Sequence, residues 1–193
     1  MRSALDKLIS GAGFLLAVGL LIAGGLLTWA NVFIANQVHD QLSQQHITMP
    51  EKAALETKAQ HDALDQYAGE PLTTGPQAKA YADYYIAVHM DAMADGKTYS
   101  EVSGEYVSMT DEQQASPEGQ ALGQVRQSMF MGDTLRGLLL YGYAFATIGT
   151  IALYAAIGAY VGSVALFVLS LLGVRHARKV EPVTQARGVP ALA

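Results

Sequence analysis

The chain has no cysteine. That excludes disulfides, thiolate metal sites, iron–sulfur clusters and cysteine nucleophiles. Charge is also scarce: 15% of the residues are Asp, Glu, Lys or Arg, against roughly 25% in soluble domains. The formal charge of −5 gives no basic face for a nucleic-acid partner. No run alternates like a strand for more than a few residues, and no glycine loop has the spacing that cradles phosphate.

The charge deficit is local. Residues 8–38 form a run of 31 without Asp, Glu, Lys or Arg, and 137–174 form a second of 38. A bilayer core needs roughly 20 apolar residues as helix, so both are read as membrane spans. A cleaved signal peptide is the rival for the first: "MRSALDK" is basic and "TWA" before Asn31 would suit a peptidase. The apolar core is longer than the roughly 7–15 residues of such a leader, and Trp29 sits where an interfacial residue belongs. An uncleaved span is the expectation.

Basic residues near span ends set direction. Arg2 and Lys7 precede the first span; Arg175, Arg178, Lys179 and Arg187 follow the second, against one acid, Glu181. Residues 36–136 hold 6 basic and 15 acidic side chains, a net of −9. Both ends are expected in the cytoplasm of a plasma-membrane protein. The expected layout is a cytoplasmic N-terminus (1–7), a first span (8–35), an extracytoplasmic acidic domain (36–136), a long helix with the second span (137–174) and a basic cytoplasmic tail (175–193).

The second run is too long for lipid. As one helix, 38 residues extend about 57 Å, against roughly 30 Å of hydrocarbon. Tilt absorbs only part of that excess. Counting about 20 to 25 residues back from Arg175 puts the outer membrane surface near Gly149 to Ala155. Leu138, Leu139, Leu140, Tyr141, Tyr143 and Phe145 would then stand at or above it, exposed. The chain's own domain should cover some of this surface, and a partner subunit is the expected main cover. Small residues also recur at close-approach spacing: Gly158 and Gly162 form a GxxxG pair beside Ala155, Ala159 and Ser163. Gly13/Ala17 and Gly19/Ala23 do the same in the first span.

Between the spans the expected fold is all-α. The first helix should run through "NQVHDQLSQQ", and a second should start at Thr48 and Pro50 and close at Gly69. Thr74 with Gln77, and Thr98 with Glu101, have capping-box spacing. Tyr81, Tyr84, Tyr85, Val88 and Ala92 would share one apolar face, with a stop at Gly96. Ser116 and Pro117 begin the helix that leads into the second span.

Chemistry is hard to assemble. His39 with His46, and His61 with Asp65, could share a cation, but each lacks a second ligand pair; His89 lies beside the tyrosines. Asp91, Asp95 and Gly96 imitate the start of an EF-hand loop. Met93 stands at the third position and Val102 at the twelfth, with Glu101 one short, so the loop fails. The spans have no Asp, Glu, Lys, Arg or His in their central parts, so no histidine haem ligand and no carboxylate or histidine proton path is available there. No catalytic residue, cofactor, metal or small-molecule substrate is expected.

Four segments are familiar: "QVHDQLSQQHITMP", "YAGEPLTTGPQAKAYADYYIAVHM", "GKTYSEVS" and "FMGDTLRGLLLYGYAF". Over about Asn36 to Phe145 the chain resembles a family of small two-span membrane proteins of actinobacteria. Members often carry a label of aromatic ring-opening dioxygenase. Such an iron site needs two His and a carboxylate, and none can be assembled here. The resemblance implies instead an accessory subunit of the respiratory supercomplex that joins cytochrome bcc to cytochrome c oxidase, a size for which 20.5 kDa is suitable. Its partners would be lipid and the integral membrane subunits of that complex. An extracytoplasmic sensor binding metal or ligand through His39, His46, His61 or His89 is the alternative.

Overall fold

A computed structural model describes residues 2–186, with side chains over 5–179. Its described residues fold as helices and turns, divided into two compact units: the described part of 1–33 with that of 149–193, and 34–148. Arg187 and the end of the expected tail lie outside the described residues. Two helices are long and apolar enough to cross a membrane, α1 (Arg2–Ser43) and α7 (Pro117–Ala186).

In the first unit the two helices pack antiparallel along a seam of small residues. Ser10 meets Gly173, Gly13 meets Ser170, Leu20 meets Gly162 and Gly24 meets Tyr160. The numbers rise on one helix as they fall on the other. Every seventh residue of α7 from Gly149 is buried: Ala156, Ser163, Ser170 and Ala177. On α1 the matching series is Ser10, Ala17, Gly24 and, half-buried, Asn31. A seven-residue repeat keeps one seam turned to its partner, and small side chains let the backbones close. Polar groups lock the seam: Ser163 Oγ donates to the Ala17 carbonyl at 2.7 Å, and Asn31 Nδ2 to that of Gly149 at 2.9 Å.

The second unit is built from the end of α1, five short helices and the start of α7. These are α2 (Lys58–Leu64), α3 (Gly75–Tyr81), α4 (Ala87–Met93), α5 (Tyr99–Val107) and α6 (Asp111–Ala115). Capping boxes start four of them: Thr57 with Gln60, Thr74 with Gln77, Thr98 with Glu101, and Thr110 with Gln113. In each the threonine hydroxyl accepts from the third backbone N–H while the Gln or Glu carbonyl or carboxylate takes the cap's own N–H. Leu42, Met49, Leu64, Leu72, Ala82 and Leu139 form the main core; Met90, Ala94, Val102 and Met129 form a second.

Two expectations fail here. The single helix from Pro50 is broken into a 3-10 turn (Lys52–Ala54), α2, and another 3-10 turn (Asp65–Tyr67). The break falls at Leu55 and Thr57, both extended, where the Thr57 capping box starts a fresh helix. At the two ends of the segment Met49 N–H donates to Glu70 O and Leu72 N–H to Ile47 O, both at 2.8 Å, around an antiparallel bridge of Thr48 with Pro71. Extended backbone there is also what Pro50 imposes on Met49. The apolar face of the tyrosine helix is also displaced, since Tyr84 and Ala92 are exposed. The inward row is Ala78, Ala82, Ile86, Met90 and Ala94, one every fourth residue. An α-helix drifts about 40° for each such step, and the π-helical turn Ala82–Ile86 offsets that drift by widening the turn.

Candidate partner-packing surface

The upper part of the second uncharged run belongs to the second unit, and its two faces have different fates. Leu139 is 2% exposed and sits in the main core, with Leu135, Leu140 and Ala146 packed beside it. Tyr143 is half-buried under α3, where Gly75 lies directly on its Cα and on Ala146. The expectation that Leu139, Leu140 and Tyr143 stand exposed is therefore corrected. Leu135, Leu139 and Ala146, four and seven residues apart, share one face of α7 and find a core within the chain.

The opposite face stays bare. Leu138 is 62% exposed, Tyr141 68%, Phe145 56% and Ile148 53%. Their spacing of 3, 4 and 3 residues puts them in one row along α7. Four large apolar side chains in a row are the pattern that a partner helix or groove takes up.

An ion cluster braces this stretch from the covered side. Lys79 Nζ hydrogen-bonds Asp83, Arg136 Nη2 reaches the same carboxylate at 3.4 Å, and Lys79 lies 5.5 Å over the Tyr143 ring. Burial alone would push the Asp83 carboxyl up. The hydrogen bonds and charges of Lys79 and Arg136 outweigh it and hold the group below the ordinary carboxylate range. Lys79 is raised in turn, first by its hydrogen bond to Asp83 and then by that group's charge. Reading the sequence missed this trio. The i, i+4 spacing of Lys79 and Asp83 was visible, but Arg136 is 53 residues from Asp83.

In the first unit the small-residue pairs divide. Gly13 and Ala17 do lie in the seam, and Gly162 faces Leu20. Gly158 and Gly19 have open space where a side chain would project. The GxxxG pair is thus split between a seam position and an open one.

The histidines are engaged locally or left in solvent. His61 Nδ1 pairs with Asp65 at 2.9 Å, and His89 Nδ1 hydrogen-bonds the Tyr85 carbonyl at 2.8 Å. His39 and His46 are exposed, His46 at a left-handed φ of 50° where α1 ends. Among the described residues no three His, Asp or Glu side chains converge as a metal-ligand set. The false EF-hand is a turn: Asp95 and Gly96 both take positive φ, and Gly96 N–H closes onto Asp91 O. Glu101, its nearest approach to a twelfth ligand, spends its carboxylate on the backbone and hydroxyl of Thr98. A cleft of about 390 Å³ opens between α5, α6 and α7, lined by Tyr106, Arg126 and glutamines, with no carboxylate or histidine.

Comparison with protein-family models, with characterised proteins and with solved structures gives no match to this chain.

Proposed function

We propose that this chain is a non-catalytic accessory subunit of a membrane respiratory complex, anchored by α1 and α7 with both ends in the cytoplasm. The residues between the spans form its outer domain. One observation carries the reading: the bare row Leu138, Tyr141, Phe145 and Ile148 on a helix whose other face its own domain already covers. Left in water, such a row is an aggregation hazard, and a partner subunit removes it.

Membrane insertion has its own support. The most apolar windows of α1 and α7 are only 17% and 11% buried, whereas the core helix of a soluble protein hides most of its surface. Exposed Leu, Ile, Val and Phe then face lipid rather than water. The first unit ends at Gly149, where counting back from Arg175 puts the edge of the hydrocarbon. The choice of respiratory complex, cytochrome bcc with cytochrome c oxidase, rests on the family resemblance of residues 36–145.

The test is affinity purification of the tagged full chain from native membranes in a mild detergent. Co-purification with haem-bearing membrane subunits is expected. A lone, well-behaved monomer would overturn the subunit reading. Recovery with a membrane complex that has no haem would keep the subunit role and remove the respiratory assignment.

A further inference from the structure

We propose that Arg175, Arg178 and Lys179 of α7 form a binding face for anionic phospholipid headgroups; this rests on the membrane reading above. Ala177 is fully buried in the seam. At about 100° per residue, Arg178, Arg175 and Lys179 lie roughly 100°, 160° and 200° around the helix from it. All three are exposed on the side turned away from the seam. None of the three has a carboxylate partner among the described residues, and the packing of the two helices does not use them.

The chemistry selects a lipid phosphate. Guanidinium groups offer paired N–H donors that match phosphate oxygens, and a lysine adds a compact positive charge. Positions 175, 178 and 179 are i, i+3 and i+4, so one headgroup can lie across all three. Directly before them Leu169, Leu171 and Leu172 are exposed, at the end of the uncharged run of 38 residues. Those leucines give acyl chains a surface that a free phosphate ion has no use for. Residues 36–136 carry a net charge of −9, which disfavours an anionic headgroup there.

The test reconstitutes the full chain into vesicles of equimolar phosphatidylcholine and phosphatidylglycerol. Flotation after an alkaline wash is read first, then the lipid retained on the protein by native mass spectrometry. Phosphatidylglycerol should be enriched, on the order of fivefold for each cation. R175Q/R178Q/K179Q should bring the ratio near one, while K52Q/K58Q, which removes lysines from the other unit, leaves it unchanged. The charge-retaining variant R175K/R178K/K179R should keep the enrichment, which separates lost charge from lost folding. Equal retention of both lipids, enrichment surviving the triple glutamine variant, or displacement by millimolar inorganic phosphate overturns the proposal. Failure of the unaltered chain to float defeats the membrane reading, and this inference with it.

Discussion

Ser163 donates its hydroxyl proton to the carbonyl oxygen of Ala17 across 2.7 Å, although 146 residues separate them in the chain. The bond is buried in the seam of the first unit, where glycine, alanine and serine recur and Leu20 and Tyr160 pack against Gly162 and Gly24. In the proposed bilayer setting a helix pair gains little from burying apolar surface, so close packing and a few polar bonds hold it. Single seam positions should therefore be sensitive and the faces beside them tolerant.

Gly24→Leu should loosen the helix pair, because any side chain there overlaps the Tyr160 ring. The expected cost is about 1–3 kcal/mol of overpacking. Gly19→Leu, five residues away and facing open space, should be tolerated. Thermal unfolding in detergent compares them; equal effects would refute the seam. Ser163→Ala should cost about 0.6 kcal/mol.

The Asp83 cluster makes the second unit sensitive to acid. A carboxyl held below its ordinary range contributes stability that is present above the unfolded value, about pH 4. That contribution is lost as pH falls through the lower folded value. Lys79, raised above 10.5, has the opposite sign and loses its contribution only at strongly alkaline pH. Asp83→Asn should flatten the acid side of the stability curve, measured by circular dichroism from pH 6 downward. An unchanged acid limb would show that the cluster is not coupled to folding.

Two glycines should respond oppositely to alanine. At Gly75 a Cβ would overlap that of Ala146 and press on the Tyr143 backbone, so Gly75→Ala is expected to destabilise by about 1–3 kcal/mol. Gly137 lies within α7 with nothing near its missing side chain. Gly137→Ala should stabilise by up to about 1 kcal/mol through helix propensity. Limited proteolysis and melting curves on the pair of variants read the difference.

Thr57→Ala should cost about 1 kcal/mol, because the Thr57 hydroxyl accepts from Gln60 N–H at 3.2 Å to open α2. Gln60→Ala should cost more. Gln60 is 1% exposed, and its Oε1 accepts from the backbone of both Glu56 and Thr57. Chemical denaturation of both variants supplies the ranking, and a Thr57 effect exceeding that of Gln60 would contradict it.

Tyr141→Asn with Phe145→Asn should leave the melting temperature nearly unchanged, since exposed positions contribute little to folding. Recovery of partner subunits in the affinity purification should fall at least tenfold. A variant that keeps its partners would clear this row of the role proposed for it.

Much of the local structure was legible because its causes are local. Thr74 with Gln77 and Thr98 with Glu101 announced two helix starts, and Asp95 with Gly96 announced a stop. The same threonine-to-glutamine spacing at Thr57/Gln60 and Thr110/Gln113 was equally present but passed over. Pairing of Ile47 and Met49 with Glu70 and Leu72 was invisible for a different reason. Its hydrogen bonds join segments some twenty residues apart, and neither alternates like a strand. The π turn was also hidden, since a single extra residue in a turn has no compositional mark.

For the candidate surface, the length of the uncharged run showed that α7 has more apolar residues than a bilayer span requires. Which of them the chain would cover itself was not written in that length. Leu138 and Leu139 are neighbours of one residue type, yet one is 62% and the other 2% exposed.

The sequence by itself determined the two apolar helices, their basic ends, the acidic stretch between them and the positions of most helix caps. Each follows from hydropathy, charge or hydrogen bonds within a few residues. Only the tertiary structure decided which glycines lie in the seam, which side chains share Asp83, and which face of α7 is bare. Those outcomes depend on which surfaces meet at close range, and a residue's type does not specify its neighbour across the fold.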